Sequence, residues 1–548
     1  MRRPALVLAA TTAFASAALL PGAPALRAER DPMERLATQR LTWKPCFTEK
    51  NQKAAYRRLE CSTLQAPLDW RRPEGKKITL AISRLKARKR VKGVLFTNPG
   101  GPGFEGRTLP LQFIEHKRHR ILDDMDVIGL DVRGSGASTP VSCKKLQGAA
   151  LDSRDRGDGG TERLLARMKE QAAACQGNGG RLPARYVTTA QTVYDLEWIR
   201  RNLKTSRGAG VGRIDWIGYS AGTWLGAYYA KRWPRSTGRF VLDSVVDFGG
   251  TWEQLFDSWP RSFQARFEQF ADWAARYNGT FQLGTTRDAV LRRYERIRAA
   301  IIAQGGLTLV STDGTTSAFH ATDFDMQIVS QLYSKKDFSP LARFLSDLSP
   351  LTSAKTRSAL SVRPASPAPP AGPGAAAPIP GGEPALFDVT CNDTPFTRTP
   401  AQVAAFSEEL GRRYPLFGYH LIQDPCMYWK RPTDQLRLAR PVGGGLPRIL
   451  LVQSTGDPAT PYEGAVRAHR AYRGSRLITV EGEGDHGIYV QTANPCVDKI
   501  VERYLIDGVY PRHDLTCPGM PLPTPSAKAD SPAAGIGKST ELHVVPGS

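Results

Sequence analysis

Apolar positions along this chain fall into short blocks separated by longer amphipathic stretches. Residues 58–70, with Cys61, Leu64 and Leu68 and a break at Pro67, predict a strand, and 78–85 predicts its antiparallel neighbour. A run of buried type at 93–97 leads straight into Asn98-Pro99-Gly100-Gly101-Pro102-Gly103. A second run, 126–131, ends in Asp131-Val132-Arg133-Gly134-Ser135-Gly136, where Arg133 is expected to fix the loops. Between 188 and 203, Val193, Leu196, Ile199 and Leu203 recur at helical spacing. Strands follow at 213–219 and 239–242, and the same pattern returns at 448–453 and 476–480. Strands alternating with helices predict a mostly parallel sheet covered on both faces.

The pattern changes after Gly250. Residues 251–304 are rich in Trp, Phe, Arg and Ala at helical periodicity, 364–384 is a Pro/Ala/Gly tract, and helical spacing resumes over 400–414. The block 251–440 therefore reads as an insert between two parts of one sheet domain, 41–250 and 441–518. Residues 519–548, rich in Pro, Ser, Ala and Gly, read as a flexible C-terminal tail. At the other end, Arg2 and Arg3, an apolar run over 5–20 and Ala23-Pro24-Ala25 predict a signal peptide over 1–25. Residues 26–40 are a candidate pro-segment.

A length of 548 residues and an apolar content of 41% suit a globular protein with a large core. The formal net charge is +23. That excess suggests electrostatic association with anionic cell-envelope polymers. No nucleic-acid-binding motif accompanies it, so nucleic acid is not expected as a partner. The eight cysteines fit an exported protein with disulfides. Sequential pairing, Cys46–Cys61, Cys143–Cys175, Cys391–Cys426 and Cys496–Cys517, is favoured because each closes a local loop. No Cys-x-x-Cys spacing occurs, so no zinc or other metal site is expected.

The chemistry centres on Gly218-Tyr219-Ser220-Ala221-Gly222. A nucleophilic serine on a strand–turn–helix needs small neighbours, because strand and helix nearly touch there. The Ala221 N–H then faces a developing oxyanion, and the Gly100–Gly101 loop supplies the second donor. A serine nucleophile needs a base and an orienting acid. Asp457 follows the strand 448–453 and His486 follows 476–480, in the order Ser, Asp, His. Asp243 and Asp247, after the strand 239–242, are the rival acids. Among the eight histidines, His469 reads as a helix-face residue, and Asp485 reads as a solvated loop charge. Thr460 either steadies the acid loop or caps the helix after Pro461.

Together these segments resemble the tripeptidyl aminopeptidases of the proline-iminopeptidase-related α/β-hydrolases, exported enzymes typical of actinobacteria. The resemblance rests on 61–70, 98–103, 131–136, Thr188-Thr189 with Asp195-Leu196 and Arg200, 218–226, Cys391-Asn392-Asp393, 457–461 and His486-Gly487. It implies an α/β-hydrolase fold with a mostly parallel central sheet and an inserted, largely helical cap domain. It also implies a Ser220–His486–Asp457 triad, no cofactor, and peptide N-termini as substrate. Phe104, Glu105 and Ala221 depart from the family's usual residues at the mouth of the site. An anchor for a substrate ammonium is expected at Asp393 or Glu105. The rival functions are an esterase or amidase on a non-peptide acyl group, and a non-catalytic envelope-binding protein on the same scaffold.

Overall fold

A computed structural model describes residues 31–48, 54–144, 146, 151–177, 182–310, 316–352, 360–362, 384–525 and 542–546. The signal peptide 1–25 and most of the tract 364–384 lie outside the described residues. Fourteen strands occur among them: β1 Lys44–Pro45, β2 Leu59–Pro67, β3 Lys77–Leu85, β4 Gly93–Asn98, β5 Met125–Asp131, β6 Ile214–Tyr219, β7 Thr237–Asp243, β8 Leu307–Val310, β9 Thr316–Phe319, β10 Leu360–Val362, β11 Ile449–Ser454, β12 Arg476–Glu481, β13 Leu515–Pro518 and β14 Leu542–Pro546.

Ten of them form one sheet in the order β1-β2-β3-β5-β4-β6-β7-β11-β12-β13. The strands β1, β2 and β3 pair antiparallel at one edge, and β3 meets β5 antiparallel. From β5 onward every pairing is parallel. The period of two sends neighbouring side chains to opposite faces. Phe96, Trp216, Leu242 and Leu451 enter one hydrophobic cluster, while Leu95, Ile217, Val241 and Leu450 enter the other. Both clusters are needed because a parallel sheet carries helices on each side.

Helix boundaries follow from their caps. The Thr188 side chain accepts the Gln191 N–H and starts the helix Thr189–Asn202. Thr251 and Gln254 form a capping box at the head of the 25-residue helix Trp252–Arg276, the first element of the insert. The insert has its own apolar core, with Phe263, Phe267, Phe270, Ile328 and Leu345.

The four sequential disulfides are all formed. The segment 144–180, closed by Cys143–Cys175, carries the helix Gly160–Gln176. Residues of the candidate pro-segment dock on the sheet domain. Met33 is buried, and the Gln39 side chain donates to the Gln65 carbonyl at 2.7 Å.

Two parts of the structure depart from the pattern. The insert is not helical alone, since β10-β14-β8-β9 form a second sheet. The 519–548 stretch is not wholly a flexible tail. Trp273 Nε1 donates to the Pro523 carbonyl at 2.7 Å, and β14 pairs antiparallel with β8 and β10. Composition missed this because main-chain pairing with another strand's edge is a non-local event.

Candidate active site

The turn between β6 and the helix Ala221–Arg232 is as tight as its glycines require. A Cβ on Gly218 would lie 2.3 Å from the Gly222 carbonyl oxygen. Ser220 is the residue that bears the strain, at φ 53° and ψ −126°, a region L-residues rarely occupy. Its N–H donates to the Asp243 carbonyl at 3.1 Å, and its carbonyl accepts the Thr223 hydroxyl at 2.6 Å.

The loop after β4 lies directly against this turn. Gly100 has φ +99°, and a Cβ there would lie 2.4 Å from the Tyr219 carbonyl oxygen and 2.9 Å from Ala221 N. Gly100 cannot serve as the oxyanion donor the sequence allowed, because its N–H already donates to Asn98 Oδ1 at 3.0 Å. Among the described residues, the N–H groups of Gly101 and Ala221 are not engaged within the protein. These two remain for an oxyanion. Beside them opens a narrow apolar pocket lined by Val132, Trp224, Leu225, Trp252 and Val389.

Asp457 and His486 come together at the ends of β11 and β12. His486 Nδ1 lies 2.9 Å from each Asp457 carboxylate oxygen. Oδ1 also accepts the N–H groups of Ala459 and Thr460 at 2.9 Å each, and Oδ2 accepts the Thr460 hydroxyl at 2.9 Å. Thr460 thus supports the acid rather than capping the next helix, which has no side-chain cap bond. Burial pushes the Asp457 carboxyl up, but the charge of His486 and the hydrogen bonds from His486 and Thr460 outweigh it, and the group sits below the usual carboxylate range. Asp243 links the Ser220 turn to the loop of His486: it holds the Ser220 N–H with its carbonyl and the Ile488 and Tyr489 N–H groups with its carboxylate.

Asp457, not Asp243, holds His486 Nδ1; the Asp243 carboxylate is hydrogen-bonded to the Ile488 and Tyr489 N–H groups instead. Burial raises its pKa to about 7 against the pull of the Tyr489 and Ile488 N–H groups. Asp247 lies at the surface end of its loop, paired with Arg467. His469 is on a helix face, bonded to Ser475 and Asp514, as expected. Arg133 is buried and grips Asp195 with two bonds of 2.6 Å and the carbonyls of Pro67 and Leu68. It fixes loops and touches no site atom described here.

The expectation for Asp485 is wrong. Its side chain is 1% exposed and accepts Arg266 Nη2 at 2.5 Å and the Lys335 N–H at 2.7 Å. Beside it Lys335 Nζ meets Glu483 at 2.5 Å. The His486 N–H donates to the Tyr333 carbonyl at 2.8 Å, and the two rings meet edge to face at 5.2 Å. The insert therefore grips the histidine loop. It grips the acid loop as well, since Trp259 Nε1 and Ser262 Oγ donate to the Ala459 and Pro458 carbonyls at 2.7 Å each. The sequence carried one signal for this network, an acid directly before the histidine in a glycine-flanked loop. The partners 150 and 219 residues away were invisible to it.

The two anchor candidates lie in different environments. Glu105 is exposed, with Gly136 beside its side chain. Asp393 is half-buried, with its Oδ2 enclosed, next to Thr189 and Trp252, which both line the apolar pocket. Its Oδ1 accepts the Thr189 N–H at 2.9 Å, whereas Oδ2 is buried beside the Trp252 indole N–H without a well-formed hydrogen bond. Burial pushes the Asp393 carboxyl up to about 6, despite Thr189 and Arg431.

A family model described as alpha/beta hydrolase fold matches residues 93–346, and one described as TAP-like protein matches residues 414–517. The chain is 30% identical over 519 residues to a tripeptidyl aminopeptidase of Streptomyces lividans, covering 90% of this chain and 89% of that protein. It is 26% identical over 502 residues to a serine protease of Mycobacterium tuberculosis, covering 87% and 91%. It is also 27% identical over 529 residues to a carboxylesterase B of Mycobacterium tuberculosis, covering 93% and 94%.

Proposed function

The chain belongs to the tripeptidyl aminopeptidase family of α/β-hydrolases and is a serine hydrolase of peptidase type, and from that premise we propose that it is an exported exopeptidase releasing short peptides, tripeptides foremost, from free N-termini. Ser220, His486 and Asp457 are its triad. The observation that carries this reading is the buried Asp457–His486 pair, 2.9 Å apart, on loops held against the strained Ser220 turn.

His486 Nε2 takes the Ser220 proton as Oγ attacks the scissile carbonyl, and Asp457 fixes the tautomer that leaves Nε2 free to accept it. The N–H groups of Ala221 and Gly101 stabilise the oxyanion. His486 then protonates the leaving amine, and water attacks the acyl-enzyme by the reverse sequence. No cofactor enters these steps.

Export is supported by the leader-like residues 1–25 and by four disulfides, which persist in oxidising compartments. Among the described residues no helix is long and apolar enough to cross a membrane.

Asp393 is the proposed ammonium anchor. A buried oxygen behind the apolar pocket, only weakly held by the Trp252 indole, gains from a bound cation, and the cation would hold the carboxyl ionised. Glu105, exposed to solvent, is the weaker candidate. An esterase reading draws support from the relative named carboxylesterase B. One experiment separates these readings: profiling products from a mixed library of free and N-acetylated peptides alongside simple acyl esters. Release of tripeptides from free peptides alone supports the exopeptidase. Equal cleavage of acetylated peptides removes the anchor, and turnover of esters alone removes the peptidase.

A further inference from the structure

At the opposite end of the sheet from Ser220, the N-terminal ends of β4, β6 and β7 border an open cleft of ≈ 440 Å³. Strand β6 spans six residues, so the cleft lies roughly 20 Å from the nucleophile along the strand direction. Gly93, Gly210, Gly212 and Gly238 line it, and at Gly210 and Gly212 the space beside the main chain is open. Its rim is basic. Lys92, Arg213 and Arg239 belong to the lining, and the basic segment Lys86-Ala87-Arg88-Lys89-Arg90-Val91-Lys92 runs up to the cleft, with Val91 and Lys92 in its wall.

This segment is a constructed feature. The Asp126 carboxylate ties it to the loop before β6, accepting the Ala87 N–H at 3.0 Å and the Ser206 hydroxyl at 2.7 Å. Arg207 donates to the Lys89 carbonyl at 2.8 Å and closes the same seam. Cations exceed anions along it: Arg88 and Lys89 share Asp123, Lys92 pairs with Asp124 at 2.7 Å, and among the described residues Arg90 and Arg213 make no ion pair, although both are exposed. Arg58, which donates to the Lys86 carbonyl, has its pKa lowered by burial and by the neighbouring charge of Arg88, as crowded like charges require.

We propose that this cleft and its rim are a docking site for a linear polyol-phosphate polymer. The phosphates would lie on Arg90 and Arg213, and the polyol hydroxyls on the Asp215 carboxylate in the floor. Asp215 is 9% exposed, lines the cleft, and already accepts the Arg239 N–H at 2.7 Å. A flexible polyanion fits better than nucleic acid, since no aromatic ring lines the cleft to stack a base. It fits better than a lipid surface, since none of the exposed large hydrophobic residues, Ile302, Val442 and Val509, lines it. Docking at this end would leave the Ser220 face directed away from the polymer, so bound protein keeps its activity.

The probe is a short fluorescent poly(glycerol phosphate), titrated with the full chain at ~50 and ~200 mM salt. Wild type should bind, and more weakly at the higher salt. The double variant Arg90→Glu/Arg213→Glu should bind at least about tenfold more weakly at low salt, with a shallower salt dependence. Arg292→Glu/Arg296→Glu places the same charge change on the exposed side of the helix Arg287–Ala303 in the insert. It should stay within about twofold of wild type, because screening limits charge effects over that distance. Unchanged hydrolase activity certifies both folds, and Arg90→Gln/Arg213→Gln replaces the reversal if it unfolds. No binding by wild type, or equal losses in the two double variants, overturns the site. Tighter binding of single-stranded DNA of equal charge overturns the assigned partner.

Discussion

The backbone carbonyl of Asp243 accepts the Ser220 N–H at 3.1 Å, while its carboxylate accepts the N–H groups of Ile488 and Tyr489 at 3.1 and 2.7 Å. One buried residue thus joins the nucleophile turn to the loop of His486. Asp243→Asn exchanges an acceptor for an NH₂ group facing two donors, and should destabilise the fold by about 1–3 kcal/mol. It should leave kcat within about tenfold of wild type, whereas Asp457→Asn should lower kcat by about 10⁴. Urea unfolding and steady-state kinetics measure both, and a crippled Asp243→Asn with a normal midpoint would reassign the acid.

The same residue predicts a pH effect. Its folded pKa, raised to about 7 by burial, exceeds an unfolded value near ~4. The folded state therefore holds the proton more tightly, and this contribution is present below pH ~4 and lost as pH rises through about 7. The stability advantage of wild type over Asp243→Asn should shrink between those limits. An advantage that grows with pH would contradict the assignment.

Ser220→Ala and His486→Ala should each lower kcat on the order of a million-fold with the fold intact. Thr460→Val removes the hydroxyl that donates to Asp457 Oδ2 at 2.9 Å. It should lower kcat about tenfold with little change in KM, as expected for a group that acts by positioning the acid. A change confined to KM would place Thr460 at the substrate instead.

Gly100→Ala tests the contact between the two halves of the oxyanion site. Its Cβ would lie 2.4 Å from the Tyr219 carbonyl oxygen at a φ of +99°. The loop must shift and carry the Gly101 N–H with it, so kcat should fall by about 10²–10³. Fluorophosphonate labelling of Ser220 should slow in parallel. Labelling at the wild-type rate would separate the loop from the chemistry.

The insert's hold on the histidine loop is tested by Asp485→Asn, which strands a buried Arg266 whose partner lay at 2.5 Å. The expected loss is about 3–5 kcal/mol, and Arg266→Met combined with Asp485→Leu should recover much of it. Denaturant midpoints of wild type and these two variants decide. A double variant that loses as much as Asp485→Asn, or more, would mean that no stranded charge was relieved.

Local pattern was enough for what depends on neighbours in sequence. Periodicity placed the strands that end at Asn98, Tyr219 and Ser454, and strand-end loops placed Ser220, Asp457 and His486 in order. The disulfides followed too, because short loops bring their cysteines together. What needed the tertiary structure was every property set by a partner far along the chain. Asp485 looked like a solvated charge until Arg266 and Lys335 of the insert enclosed it. The segment 542–546 looked like tail until β8 and β10 offered it an edge. The basic run at 86–92 came to border a cleft, with Val91 and Lys92 in its wall, once the loop before β6 folded beside it. Burial and pairing belong to the assembled chain, and a charge's surroundings, unlike its spacing, are not written in the residues next to it.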